Sequence, residues 1–230
     1  MITKKIIIPI ILGTSLCSCV NPNIPPDIHY FITHITIKED DIKEGTFAQT
    51  YTEQIDDKIA GTNSIDFVFS KTNSDELYFK AIYSFTGDQI KENIESKIIE
   101  LSYISQDNFV LKKTVNGQLT TENLNYEEAH KHYYKIFDAG TNVYRVGGLF
   151  YGDLIAVNES KFYNYYSLNE EKTELTMEEK EAQYTDSFLL DQKIVIDKKG
   201  MLLQKEEYAY SKTNSDYGKL NQTGSYIYNN

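Results

Sequence analysis

Between Ile65 and Phe85 apolar residues return at every second position. Ile65, Phe67 and Phe69 alternate with Asp66 and Ser70. Leu77, Phe79, Ala81, Tyr83 and Phe85 share one side, with Lys80 and Ser84 on the other. A period of two marks half-buried strands, because successive side chains leave a pleated backbone on opposite faces. The stretch between, Lys71-Thr72-Asn73-Ser74-Asp75, has turn composition, so the segment predicts an antiparallel hairpin. A lone hairpin is marginal in water and needs more strands or a helix on its apolar face.

The remaining pattern supplies both. Ser96 to Ser105 and Asn108 to Val115 read as strands, and Asn116-Gly117 turns the chain into Gln118 to Thr121. Ile28 to Lys38 is β-branched and predicts a first strand. Thr46 to Ala60 predicts a helix. Phe47, Tyr51, Ile55 and Ile59 recur every four residues, polar Gln49, Glu53 and Asp57 lie between them, Thr46 caps, and Gly61 ends it. A second helix is predicted over Tyr126 to Ala139, with Asn125 as N-cap, Glu128 at N3 and Gly140 at the end. Its apolar face is Ala129, Tyr133, Ile136 and Phe137. Val143 to Val146, Leu149 to Val157 and Phe162 to Leu168 come next as strand-like runs. Gly147-Gly148 lacks a Walker pattern and reads as a bend or bulge. Thr176 with Glu179 resembles a capping box and predicts a short helix to Ala182. Lys193 to Asp197, the turn Lys198-Lys199-Gly200, Met201 to Ser211 and Ser225 to Tyr228 predict a closing meander. The string Ser70 to Asp75 recurs as Ser211 to Asp216, each copy after an aromatic strand end. It is either a duplicated hairpin or two loops converging from a biased alphabet. Together these give an α+β fold, a large antiparallel sheet packed against about two helices.

The N-terminus carries a different message. Lys4 and Lys5 precede an apolar run from Ile6 to Leu16, which is too short for the about 20 residues that span a bilayer. The run ends in Leu16-Cys17-Ser18-Cys19, which resembles the lipobox of bacterial lipoproteins. The resemblance implies signal-peptidase recognition of Leu16, Cys17 and Ser18, cleavage before Cys19, and lipid attachment to the Cys19 sulfur. Two or more acyl chains anchor a protein stably. The expected organisation is a signal peptide over 1–18, a lipidated proline-rich tether over 19–27, and one α+β domain over 28–230. The expected location is the cell envelope, on the extracytoplasmic side of a membrane.

Composition narrows the function. Without the signal the only cysteine is Cys19, so no internal disulfide is available. Losing Lys4 and Lys5 takes the net charge from −11 to −13. That argues against nucleic acid as a partner, which needs a basic surface. The 19 tyrosines, the single Arg145 and the absence of Trp fit an AT-rich coding bias. His130 and His132 are two apart on a predicted helix and cannot share a metal, and His29 and His34 lie far off in sequence. No Gly-x-Ser-x-Gly elbow is present. The pairs Glu170-Glu171, Glu178-Glu179 and Glu206-Glu207 read as solvated faces, and Asp40-Asp41 and Asp56-Asp57 lack calcium-loop spacing. No catalytic residue, metal or cofactor is expected.

The order of elements, with Lys193-Ile-Val-Ile-Asp197-Lys-Lys-Gly200 before a long strand, resembles the LolA/LppX-like superfamily of exported, lipid-carrying half-barrels. The resemblance implies a binding domain for an apolar ligand or envelope lipid, with a large apolar cavity. The alternative expectation is a structural or interaction lipoprotein without a ligand cavity. It would present an aromatic patch such as Phe162, Tyr163, Tyr165 and Tyr166 to an envelope protein.

Overall fold

The structure is a computed structural model, and it describes residues 25–34, 42–72, 76–134 and 165–229. Helix α1 (Pro26–Thr33) is followed by six strands: β1 (Ile42–Ile55), β2 (Lys58–Thr72), β3 (Glu76–Gly87), β4 (Ser96–Ser105), β5 (Asn108–Val115) and β6 (Gln118–Leu124). Helix α2 (Tyr126–Tyr134) comes next. Five strands close the chain: β7 (Tyr165–Leu168), β8 (Glu174–Gln183), β9 (Phe188–Asp197), β10 (Leu202–Ser211) and β11 (Tyr217–Tyr228). The α+β expectation of a large antiparallel sheet with two helices holds among the described residues.

All eleven strands form one open antiparallel sheet in the order β6-β5-β4-β3-β2-β1-β11-β10-β9-β8-β7. It is two meanders joined through the first strand of one and the last strand of the other. The seam pairs β1 with β11 from Ile42↔Tyr228 to Gln54↔Tyr217. Strands β6 and β7 are left as edges.

Register fixes which side chains share a face. Phe47 lies opposite Phe67, Phe67 opposite Ala81, Phe79 opposite Leu101, and Leu101 opposite Leu111. On the other side of the seam Ile196 pairs with Leu175 and Ile194 with Met177. All of these residues are buried, and they form one hydrophobic cluster. Burying each Phe or Leu contributes about 1.5–3 kcal/mol. The cluster occupies the half of the face towards the β4–β5 and β9–β10 turns. Helix α2 lies there against β3, β5 and β6, and α1 lies against β7. Phe69 ties three elements together, with its ring 5.6 Å from Phe67, 6.4 Å from Tyr133 on α2 and 6.4 Å from Tyr226 on β11.

Two local expectations hold at atomic detail. Glu128 N donates to Asn125 Oδ1 at 2.9 Å and Asn125 N to Glu128 Oε2 at 3.0 Å, a reciprocal capping box that starts α2. Asn116 and Gly117 have φ of 46° and 82°, the left-handed pair that a two-residue hairpin turn requires. The part of the second predicted helix beyond Tyr134, with Ile136, Phe137 and Gly140, lies outside the described residues. So do Val143 to Val157 with Gly147-Gly148, and Phe162 and Tyr163.

Three expectations are overturned. Thr46 to Ala60 is not a helix but most of the β1–β2 hairpin. Asp56 and Asp57 form its turn, with φ of 50° and 62°, and Ile55 pairs with Lys58. A spacing of four fits a strand as well as a helix, since every fourth residue also lies on one strand face. Polar Gln49 and Glu53 on that face disguise the alternation. Thr176 to Ala182 is part of β8, where Leu175 and Met177 are buried and pair across to β9, so the apparent capping box is incidental. The predicted strand from Ile28 is α1, and Pro26 and Asp27, assigned to the extended tether, open it. Proline is tolerated in a first helical turn because its missing N–H has no partner there. Ile28 and Phe31, three apart, bury one stripe of that helix. Residues 35–38 lie outside the described residues.

The two Ser-Lys-Thr-Asn-Ser-Asp strings come after β2 and β10, whose registers carry them to opposite ends of the sheet. In the second, Ser211 Oγ accepts from Thr213 N at 3.2 Å and Asn214 N at 3.3 Å, a side-chain-closed turn. Residues 73–75 of the first lie outside the described residues.

Candidate functional site

The strand ends far from the helices carry the same face onward, but its character changes. Beyond Phe47 the inward positions of β1 are Gln49, Tyr51 and Glu53, and Gln222, Leu220 and Gly218 of β11 lie opposite them. Next across are Lys205, Glu207 and Ala209 of β10, then Ile194, Gln192 and Leu190 of β9, and Glu179 opposite Gln192 on β8. An open groove of about 920 Å³ runs over this surface. Its floor is apolar, with half-buried Leu220, Ala209, Leu190 and Phe188, the Tyr51 ring lies over it, and its margin holds Tyr184.

Gly218 shapes the floor. A Cβ there would stand 2.8 Å from the Tyr51 hydroxyl, so only glycine lets that ring lie across β11. The turns at this end are tied together. Gln54 Nε2 donates to Ser215 O at 2.9 Å and Asp56 N to Asp216 Oδ1 at 2.9 Å.

A chain of side-chain hydrogen bonds separates the groove from the apolar cluster. Gln222 Nε2 donates to Gln49 Oε1 at 2.7 Å, and Gln49 Nε2 to Asn63 Oδ1 at 3.4 Å. Asn63 Nδ2 donates to Gln89 Oε1 at 3.2 Å, and Gln89 Nε2 to Glu53 Oε2 at 2.9 Å. Beside it, Lys205 Nζ sits 2.8 Å from Glu207 Oε1, which also accepts from Gln192 Nε2. Gln192 is 5% exposed. The Oε1 atoms of Gln192 and Gln222 are buried without a hydrogen-bond partner among the described residues. Buried acceptors are normally paired.

The electrostatics are one-sided. Glu53, Glu179, Glu207 and Asp216 line the groove against Lys205 alone. The Tyr51 phenol is pushed up from its ordinary pKa by burial first, then by the charge of Glu53 and by Tyr184.

Residues singled out from sequence fall elsewhere. Cys19, Leu16, Cys17 and Ser18 lie outside the described residues. His29 and His34 belong to α1 and its C-terminus, where His34 stacks on Tyr30 at 3.9 Å, and His130 and His132 belong to α2. Among the described residues no group of three or more His, Cys, Asp or Glu is placed to hold a metal ion. Tyr165 is exposed on edge strand β7, while its neighbour Tyr166 packs on the core, so the two do not form one patch. Glu170 and Glu171 are exposed in the turn before β8, as a solvated pair. The other two pairs lie on strands and split: Glu179 and Glu207 turn into the groove while Glu178 and Glu206 face the other side.

Among the described residues no helix is long and apolar enough to cross a membrane. No protein-family model matches this chain, and no curated protein matches it.

Proposed function

We propose that this is an exported lipoprotein, held to a membrane through acyl chains on Cys19, whose groove over β1, β11, β10, β9 and β8 binds an amphipathic ligand without chemistry. The observation that carries the binding reading is the groove itself. Its apolar floor of Leu220, Ala209 and Leu190 lies open on the face that elsewhere forms the core. Apolar surface left open in a concave site and ringed by polar groups is the usual make-up of a ligand pocket. Lipid carriage, as the superfamily resemblance implies, is one form of this reading. Fluorescence of a neutral naphthyl probe measures it. Binding should saturate with the wild-type chain and fall at least about tenfold in Ala209→Trp, which fills the floor. No saturable binding, or equal binding by the variant, refutes the groove. Mass spectrometry of membrane-extracted protein tests the anchor, and an N-terminus other than acylated Cys19 refutes it.

A second reading, an interaction lipoprotein, has its own observation. Edge strand β6 is exposed from Gln118 to Asn123, and an open strand edge is a template for pairing with another chain. Cross-linking from Thr120 that captures no envelope protein counts against it.

A further inference from the structure

The groove specifies more than an apolar tail, and a preference for one head group rests on the groove's binding an amphiphile at all. Every group at its polar margin except Lys205 accepts hydrogen bonds or attracts cations. Glu53, Glu179, Glu207 and Asp216 are acceptors when ionised, and Lys205 is held by Glu207 at 2.8 Å. Glu179 has no ion pair among the described residues. Four carboxylates against one ammonium leave the lining at −3. The ring of Tyr51 lies across the floor, and Tyr184 stands at the rim; aromatic faces attract cations.

An independent observation points the same way. Gln192 sits between Glu179 and Glu207 on the groove-facing side of β9, nine-tenths buried, with its Nε2 turned to Glu207. Its Oε1 has no donor among the described residues. Among the charged groups of the lining, acceptors and negative charge outweigh the one ammonium, which Glu207 already holds. A carboxylate or phosphate head would meet repulsion here, in a groove whose walls exclude part of the screening water.

We infer that the groove takes an amphiphile with a cationic, hydrogen-bond-donating head, a primary ammonium on an alkyl chain. The tail lies along Leu220, Ala209 and Leu190, and the ammonium reaches Glu179 and Glu207.

The test displaces the neutral naphthyl probe from the whole mature protein with three amphiphiles of equal chain length: dodecylammonium, dodecanol and dodecanoate, each below its micellar concentration at pH 7. Dodecylammonium should displace at least about tenfold more tightly than dodecanoate, with dodecanol between, and added salt should narrow the ratio. Glu53→Gln with Glu179→Gln should bring the ratio to about threefold or less while probe binding persists. Equal potency of the three leaves the groove standing and overturns the cationic head. Dodecylammonium preference that survives Ala209→Trp places the cation on the acidic surface at large and overturns the assignment too. A probe that never binds overturns the groove reading and this inference with it.

Discussion

The turn at Asp56-Asp57 gives the sharpest test of the fold, because one substitution pair has opposite signs in a hairpin and in a helix. Asp57 sits at φ 62° and is exposed, and its side chain has no part in the Asp56 N–Asp216 Oδ1 bond. Alanine in the left-handed region costs about 1–2 kcal/mol through its Cβ. Glycine avoids that cost but gives back about 0.4–1 kcal/mol through the freedom of its unfolded chain. The difference leaves Asp57→Gly more stable than Asp57→Ala by about 1 kcal/mol. In the interior of a helix the order reverses, with alanine ahead by about 1 kcal/mol. In a chain of this size 1 kcal/mol is about 2–4 °C in Tm. Thermal unfolding followed by circular dichroism should therefore show the glycine variant melting about 2–4 °C above the alanine variant. An alanine variant that melts higher would refute the hairpin.

Two further outcomes are expected from the packing and from one half-buried phenol. Phe69→Ala should cost about 3–5 kcal/mol, because it opens a cavity where β2, α2 and β11 meet; a loss below about 1.5 kcal/mol in urea unfolding would mean the three do not share that ring. Tyr228 is pushed far above the ordinary tyrosine range by burial first, then by donating to Asp197 and by that carboxylate's charge. Above a pH of about 10 the unfolded chain loses this proton while the folded one keeps it, so stability falls as pH rises. Tyr228→Phe should flatten the fall in urea midpoint between about pH 9 and 11 without abolishing it, since Tyr51, Tyr78 and Tyr210 are raised too. An unchanged slope would count against the Tyr228–Asp197 pair.

What can be read from sequence tracks the burial. The Ile65 to Phe85 hairpin is legible because one face is wholly apolar. The start of α2 is legible because a capping box is a local device. The β1–β2 hairpin is not, because Gln49 and Glu53 occupy inward positions and are satisfied there by Gln222, Asn63 and Gln89 from β11, β2 and the β3–β4 connection. Those partners lie far off in sequence, so no local pattern announces them. At Ile28 β-branched composition competes with Pro26 and Asp27, and the N-terminal signals govern. The groove is the least legible feature, since Glu53, Glu179 and Glu207 meet only through the order of the strands. One clue is available: in any strand the pairs Glu178-Glu179 and Glu206-Glu207 must each send one carboxylate inward.

The seam between β1 and β11 also orders events in time. The strand made last among these eleven is not an edge that can be added to a finished sheet but the piece that lies at its middle. Until it emerges, β1 to β6 and β7 to β10 are two separate half-sheets, each exposing an unpaired inner strand. Closing the seam brings together residues from opposite ends of the described chain, a slow, non-local step. A nascent chain thus stays unfinished until β11 has emerged. Clipping residues 217–228 would not trim such a molecule but divide it.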